Sequence, residues 1–368
     1  MWAASGPTKF TDLLLFLFHW ELLGTPIKWS KCRGGFEMEW LGYWLDHGRF
    51  RLGISEARAQ WLVKWITETL ARGAVLVSNL SAALGRLGFA AGVLEWDRPF
   101  LGPIYAWSAT VPASAYIQLP VLIRLILEHF RHRLQYGNRT IECRVSSKPM
   151  GQLFMTDAKA EDNLVVLGGW ETRPGGSKGT ARWFSVRVEP GDLPGLYGRA
   201  KPQHEIATWE LLASLVAVMI FLPDHYPGHG LSLATGATDN QGNSYAVAKL
   251  LTAKYPLCIV LMELSVQLQD RQLWLDLEWT PREQNTIADD LTNEEFEGFG
   301  IENRIEVDIS KLKYKVMIDY LARGAALYES IEARKRERKD GAGEDRRGLT
   351  RKRVRRKRAG LRETDPWG

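Results

Sequence analysis

The chain has 368 residues, 45% of them hydrophobic and 25% charged, with a formal net charge of +5. That length accommodates two or three packed domains, and the composition excludes a mainly disordered or fibrous chain. Three widely separated cysteines, Cys32, Cys143 and Cys258, form no C-x-x-C pair, which excludes a disulfide framework and a cysteine zinc site and fits a reducing compartment.

The first predicted element is a helix in "FTDLLLFLFHWELLG", with Asp12 near its start and Gly24 and Pro26 as stop signals. Its apolar run "LLLFLFHW" is too short for a membrane span of ~20 residues and lacks the flanks of a signal peptide. "FEMEWLGYWLD" reads as a strand or hairpin arm, and "SEARAQWLVKWITETLARG" as a helix from an N-cap Ser55 to Gly73. A helix in "SNLSAALGRLGFAAGVL", a packed connection in "RPFLGPIYAW" (98–107) and a helix over "YIQLPVLIRLILEHFRHRL" (116–134) follow. Pro149-Met150-Gly151 marks a boundary.

From 152 to 189, "LFMTDA", "LVVLGGW" and "ARWFSVRVE" are separated by polar turns, the pattern of three antiparallel strands. Asp157 sits on the first strand, with Gly168 and Gly169 permitting close approach on its neighbour. The helix "HEIATWELLASLVAVMIFL" (204–222) contains two acids. Glu205 fits the positive N-terminal dipole. Glu210, one turn inside, has no such reason. "LSLAT" reads as a strand leading to Asp239 and a helix starting near Asn240 or Asn243, where a carboxylate is also an ordinary cap. A helix over "PLCIVLMELSVQLQD", a strand to Trp279, a Pro-Arg turn and a short helix carrying Asp289 and Asp290 complete the unit.

A last helix is expected over "KLKYKVMIDYLARGAALYESI". Arg334 to Arg362 then carries 15 Lys/Arg against 4 Asp/Glu, so this tail holds +11 and the body −6. With almost nothing to bury, the tail is expected to be disordered when free. It reads as a phosphate-contacting arm or a nuclear import signal, against a solvated run with no partner. His225 and His229 flank Pro227 and Gly228 and read as a loop rather than a metal site. Tryptophans such as Trp61 and Trp65, at helical spacing, read as core rather than base-stacking residues. No Gly-rich phosphate loop and no G-x-S-x-G elbow is present.

Four carboxylates, Asp157, Glu210, Asp239 and Asp289, thus stand at strand ends or on helices able to pack beside one sheet. In this order they resemble ribonuclease H: "TDA", "ELLA", "TDNQ" and the string W-x-P-R-E-x-N-x-x-A-D-x-L. Upstream, "LLGTPIKWSK" (22–31), "EWLGYWLD" (39–46), "GISEARAQWLVKWI", "LSAALGRLGFA" and "RPFLGPIYAW" resemble the end of the palm, the primer-grip strand and the thumb of reverse transcriptases from DIRS-type retrotransposons.

The resemblance implies a ribonuclease H-like α/β domain, a mixed sheet flanked by helices, preceded by a mainly helical segment. The implied divisions are 1–110 (palm end and thumb), 111–150 (connecting helix and linker), 151–295 (ribonuclease H-like), 296–332 (helical extension) and 333–368 (tail). Asp157, Glu210, Asp239 and Asp289 match the family's metal-binding carboxylates. Asn240 and Gln241 match positions that contact nucleic acid. Arg282 or Glu283 stands where retroviral relatives often carry a histidine, whose role is left without an evident owner. Arg282 and the tail residues Arg351, Lys352, Arg353, Arg355 and Arg356 are further candidates for nucleic-acid contact.

The implied cofactor is Mg²⁺ or Mn²⁺, as two ions, because carboxylates suit hard cations and phosphodiester hydrolysis accumulates negative charge. The implied substrate is an RNA–DNA hybrid, with the upstream reverse transcriptase half as a possible partner. No membrane role is expected, and the tail suggests a nuclear rather than a cytoplasmic location. The family's polymerase carboxylates lie upstream of the matching segment, and no aspartate pair sits in a strand turn, so polymerase activity is not expected. The alternative reading is an inactive retroelement remnant that binds nucleic acid.

Overall fold

In the computed structural model, the residues described are 7–32, 34–135, 139–143, 151–162, 164–172, 176–197, 201–224, 231–341 and 366–367. The chain opens with α1 (Lys9–Leu22), which buries none of its residues, and Phe10, Leu14, Leu15 and Phe18 all face outward. A hairpin of β1 (Glu37–Trp40) and β2 (Tyr43–Asp46) continues into β3 (Arg51–Ile54). Helix α2 (Glu56–Arg72) begins after Ser55 and stops at Gly73, whose φ of 64° is left-handed backbone that glycine adopts without strain.

β4 (Ala74–Leu76), α3 (Val77–Ala90), α4 (Leu101–Ser108), β5 (Tyr116–Gln118), α5 (Val121–Gln135) and β6 (Thr140–Glu142) complete the first unit. Two sequence expectations change here. The segment 98–107 is helical, because Pro103 lies in the first turn of α4, where its missing N–H is not needed. The helix expected from 116 starts only at Val121, because Tyr116–Gln118 pairs as a strand with Ala74–Leu76. Trp61 and Trp65 pack at the edge of the core rather than inside it.

Inside this unit Asp97 is fully buried, and its carboxylate accepts hydrogen bonds from His129 Nε2 at 2.8 Å and Arg133 Nε at 2.9 Å. Burial alone would raise its pKa, yet these two partners hold the carboxyl below its ordinary range.

The second unit contains β7 (Gln152–Glu161), β8 (Leu164–Glu171), β9 (Trp183–Val188), α6 (Ile206–Phe221), β10 (Ser232–Thr238), α7 (Gln241–Lys249), α8 (Leu257–Asp270), β11 (Leu273–Trp279) and α9 (Thr286–Thr292). The five strands form one sheet in the order β11-β10-β7-β8-β9. β7, β8 and β9 are antiparallel, whereas β10 runs parallel to both β7 and β11. β7 is longer than expected, continuing through Ala160 and Glu161, so that Asp157 is a mid-strand residue.

Thr156 bonds Ser214 of α6 and Asp157 bonds Thr292 of α9, so these helices cover opposite faces of the sheet. α6 is apolar on most sides because it is buried on most sides, and Glu210 is its one carboxylate. With residues 202–205 it is the one helical stretch among those described that is long and apolar enough to cross a membrane, and most of it lies inside the protein.

The C-terminal helix α10 (Met317–Gly341) packs against α4, α5 and α8 and so braces both units. It departs from expectation at both ends. Residues 312–316 are not helical, because Glu263 of α8, fully buried, accepts from the backbone N–H groups of Lys315, Val316 and Met317 at 2.8–3.0 Å. At the far end the helix continues through 333–341, which the tail expectation had as disordered; the underside of this stretch is anchored by Arg338, which donates to the Ala109 carbonyl at 3.0 Å. His225, His229 and the expected contact residues Arg351, Lys352, Arg353, Arg355 and Arg356 lie outside the described residues.

Candidate active site

Three carboxylates meet where β7, β10 and α6 adjoin. Asp157, Glu210 and Asp239 each present an oxygen, and these oxygens lie within 4.8 Å of one another. Each position has a local cause. Asp157 alternates with Thr156 on β7, facing the α9 side, opposite Gly168 in the ladder. Glu210 is on the second turn of α6, and that turn is pinned to β7: Ser214 Oγ donates to the Glu210 carbonyl at 3.2 Å and shares a 3.0 Å hydrogen bond with Thr156 Oγ1. Asp239 occupies the crossing from β10 to α7. Its carbonyl accepts from Trp279 Nε1 at 3.0 Å, and Asn240 caps α7 by accepting from the Asn243 N–H at 3.0 Å.

The fourth expected acid stands apart. Asp289 accepts from Arg282 Nη2 at 3.2 Å and from Asn293 Nδ2 at 3.1 Å, and it does not join the close cluster. Its charge is still felt at Asp157 and Asp239. Asp290 is paired with Lys178 at 2.6 Å. Glu205 ends the turn before α6 and is absent from the cluster, whereas Glu210 belongs to it. Arg282 is largely exposed and sits beside Asp289. Asn240 lowers the pKa of Glu210, while Gln241 is exposed at the start of α7.

Electrostatics describe the cost of this arrangement. Burial, then the charges of Asp239 and Asp289, push Asp157 up to about 7, against a smaller lowering by the Ala158 backbone and Thr292. Burial, then Asp239 and Asp157, push Glu210 up to about 8, with Asn240 and Arg282 acting in the opposite sense. Asp239 is raised too, chiefly by burial. Glu210 Oε2 and Asp239 Oδ1 are buried without a hydrogen-bond partner. Clustered, desolvated carboxyl oxygens with unused lone pairs are the donor set that a hard divalent cation takes, so these residues fit such an ion.

Two supporting residues were missed as such. Asn285 is almost fully buried and donates to the Thr156 carbonyl at 3.2 Å, tying the loop before α9 to the strand that carries Asp157. It is the Asn of the W-x-P-R-E-x-N string, so the signal was present but its role was not. Thr292 donates to Asp157 Oδ2 at 3.2 Å, and no motif marked it.

Strand order, mixed polarity and helices on both faces make this unit a ribonuclease H-like α/β fold, preceded by a mainly helical segment. Solved structures with a similar arrangement include ribonuclease H1 of the halophilic archaeon Halobacterium salinarum, with 18% identity, 40% of this chain and 98% of that chain covered, and a TM-score of 0.28. The N-terminal ribonuclease H domain of a Mycobacterium tuberculosis protein, fused to maltose-binding protein, gives 19% identity over 40% of this chain and 94% of that one, with a TM-score of 0.28. A foamy viral protease-reverse transcriptase in complex with an RNA/DNA hybrid gives 12% identity over 76% of this chain and 34% of that one, with a TM-score of 0.30. No family model matches the sequence, and no curated protein matches it.

Proposed function

We propose that the protein is a divalent-metal-dependent endonuclease that cleaves the RNA strand of RNA–DNA hybrids, acting within a DIRS-type retrotransposon reverse transcriptase. The observation that carries this reading is the convergence of Asp157, Glu210 and Asp239 with buried, unpartnered carboxyl oxygens. These three residues would hold Mg²⁺ or Mn²⁺, with Asp289 beside them for a second ion. A bound ion supplies Lewis-acid stabilisation of the charge developing on the phosphate and lowers the pKa of water.

The remaining roles belong to the chain itself. Asn240 steadies Glu210 and, with Gln241, borders the acids where a nucleic-acid strand would lie. Arg282 offers positive charge to a phosphate and holds Asp289 in place. Selectivity for RNA would come from contacts to 2′-hydroxyls across the wide minor groove of the hybrid. The exposed apolar side chains of α1 fit a polymerase half packing there, and the basic residues Arg351, Lys352, Arg353, Arg355 and Arg356 fit phosphate contact or nuclear import.

The test is cleavage of an end-labelled RNA–DNA hybrid with Mg²⁺, beside a chelator control and Asp157→Asn. RNA-strand cutting that both controls abolish supports the assignment. Cutting that survives Asp157→Asn overturns it. Absence of cutting, with hybrid binding that weakens steeply with salt, replaces it with a binding remnant.

A further inference from the structure

Helices α2 and α3 each present an arginine and an aromatic residue three positions apart, Arg58 with Trp61 and Arg86 with Phe89, on the surface of the first unit. The side chain seated between them is Trp367, hundreds of residues away in sequence. Its ring meets Phe89 edge-on, with centroids 5.4 Å apart and planes at 87°, and lies 6.5 Å from the Trp61 ring. The Arg58 guanidinium carbon stands 4.7 Å from the ring centroids of both Phe89 and Trp367. Arg58 Nε also donates to the Pro366 carbonyl at 2.9 Å. One side chain therefore reads both a ring and a backbone oxygen.

The surroundings are shaped for this arginine. Gly42, in the β1–β2 turn with φ +85°, lies so close to it that a Cβ there would collide with the guanidinium. Tyr43, the next residue, stacks on Phe89 at 4.3 Å and fixes the ring that forms the cradle wall. Arg86 covers the Trp61 ring at 3.9 Å. Proline before the tryptophan suits the seat, because it brings no N–H that needs a partner and holds φ near −65°.

We propose that this cradle is a recognition site for a Pro-Trp segment and that its occupant is Pro366-Trp367 of the same chain. Covalent connection favours the same chain over a second copy, since an attached segment is present at high effective concentration. Residues 342–365, with ten Lys/Arg and four Asp/Glu, join α10 to the docked pair, so docking fixes both ends of that basic run to the first unit. This inference is independent of the nuclease assignment.

The test is ¹⁹F NMR of the full chain labelled with 5-fluorotryptophan, with the Trp367 signal identified by its loss in Trp367→Phe. Docking predicts a signal displaced from the free-indole position, with a small solvent-isotope shift that is unchanged on dilution. Arg58→Ala and, separately, Phe89→Leu should return this one signal to the free position while the others stay dispersed. A Trp367 signal at the free position with a full solvent-isotope shift in the unsubstituted chain overturns the proposal. A displaced signal that reverts on dilution overturns the same-chain assignment in favour of a second copy.

Discussion

Asp157 faces Gly168 directly across the ladder between β7 and β8, and the missing side chain at 168 is what admits α9 to the sheet. A Cβ there would meet Leu291 Cβ at 2.9 Å, Thr292 Cγ2 at 3.0 Å and the Ala288 carbonyl at 3.1 Å. The same helix supplies the Thr292 hydroxyl that bonds Asp157.

Gly168→Ala should therefore lift α9 and disturb Asp157 at once. Overpacking of this kind costs about 1–3 kcal/mol. Urea unfolding should show that loss, and hybrid cleavage should fall several-fold with no acid removed. Unchanged cleavage would show that the seating of α9 is irrelevant to the site.

The metal-free protein should lose stability as pH rises. Asp157 and Glu210 carry folded-state pKa values of about 7 and about 8, above their ordinary 3.8 and 4.5, so the folded chain keeps protons that the unfolded chain has released. Their contribution is full below pH 4 and is lost progressively as the pH rises to about 8. In chelator, Asp157→Asn should raise the melting temperature at pH 8 and flatten its pH dependence.

Mg²⁺ should reverse that penalty. A ligand bound only by the folded state stabilises by about 2.7 kcal/mol at a hundred times its dissociation constant. Thermal melts at pH 8 should shift upward with Mg²⁺ in the unsubstituted protein and hardly at all in Glu210→Gln. Equal shifts in both would place the ion elsewhere.

Arg282 lowers the pKa of both Glu210 and Asp239 through its charge. Arg282→Ala should move the acidic limb of the pH–rate profile to higher pH, and Arg282→Lys should largely restore it. A profile that drops in height without moving would assign Arg282 to substrate contact alone.

Asp97 anchors the first unit. Asp97→Asn removes the buried charge shared by His129 and Arg133. Breaking such a buried pair costs about 3–5 kcal/mol. Denaturant titration followed by a probe in the first unit should register this loss.

The sheet was legible because its strands announce themselves locally: apolar runs from 152 to 189 alternate with polar turns, and the acids fall at fixed places among them. Glu210 was separable from Glu205 because only one of the two lacked a helix-terminal explanation. What stayed hidden depends on partners distant in sequence. Tyr116–Gln118 looks helical until Ala74–Leu76 pairs with it. Asp289 looks equivalent to the other acids until Arg282 and Asn293 claim its oxygens. Thr292 is an unremarked hydroxyl until α9 is laid against Gly168.

Glu263 sets the smallest piece of the sheet unit that can be cut out with its buried polar groups satisfied. Its carboxyl group, buried in α8, accepts hydrogen bonds from the backbone N–H groups of 315–317 and from Gln267 Nε2 at 2.7 Å. A fragment ending at residue 295, where the motif-bearing region closes, would leave this carboxyl group in its helix layer with most of its hydrogen-bond donors removed. A recombinant piece carrying the sheet unit should therefore extend beyond Met317, and the last helix has to be counted as part of that unit's frame rather than as a trailing segment.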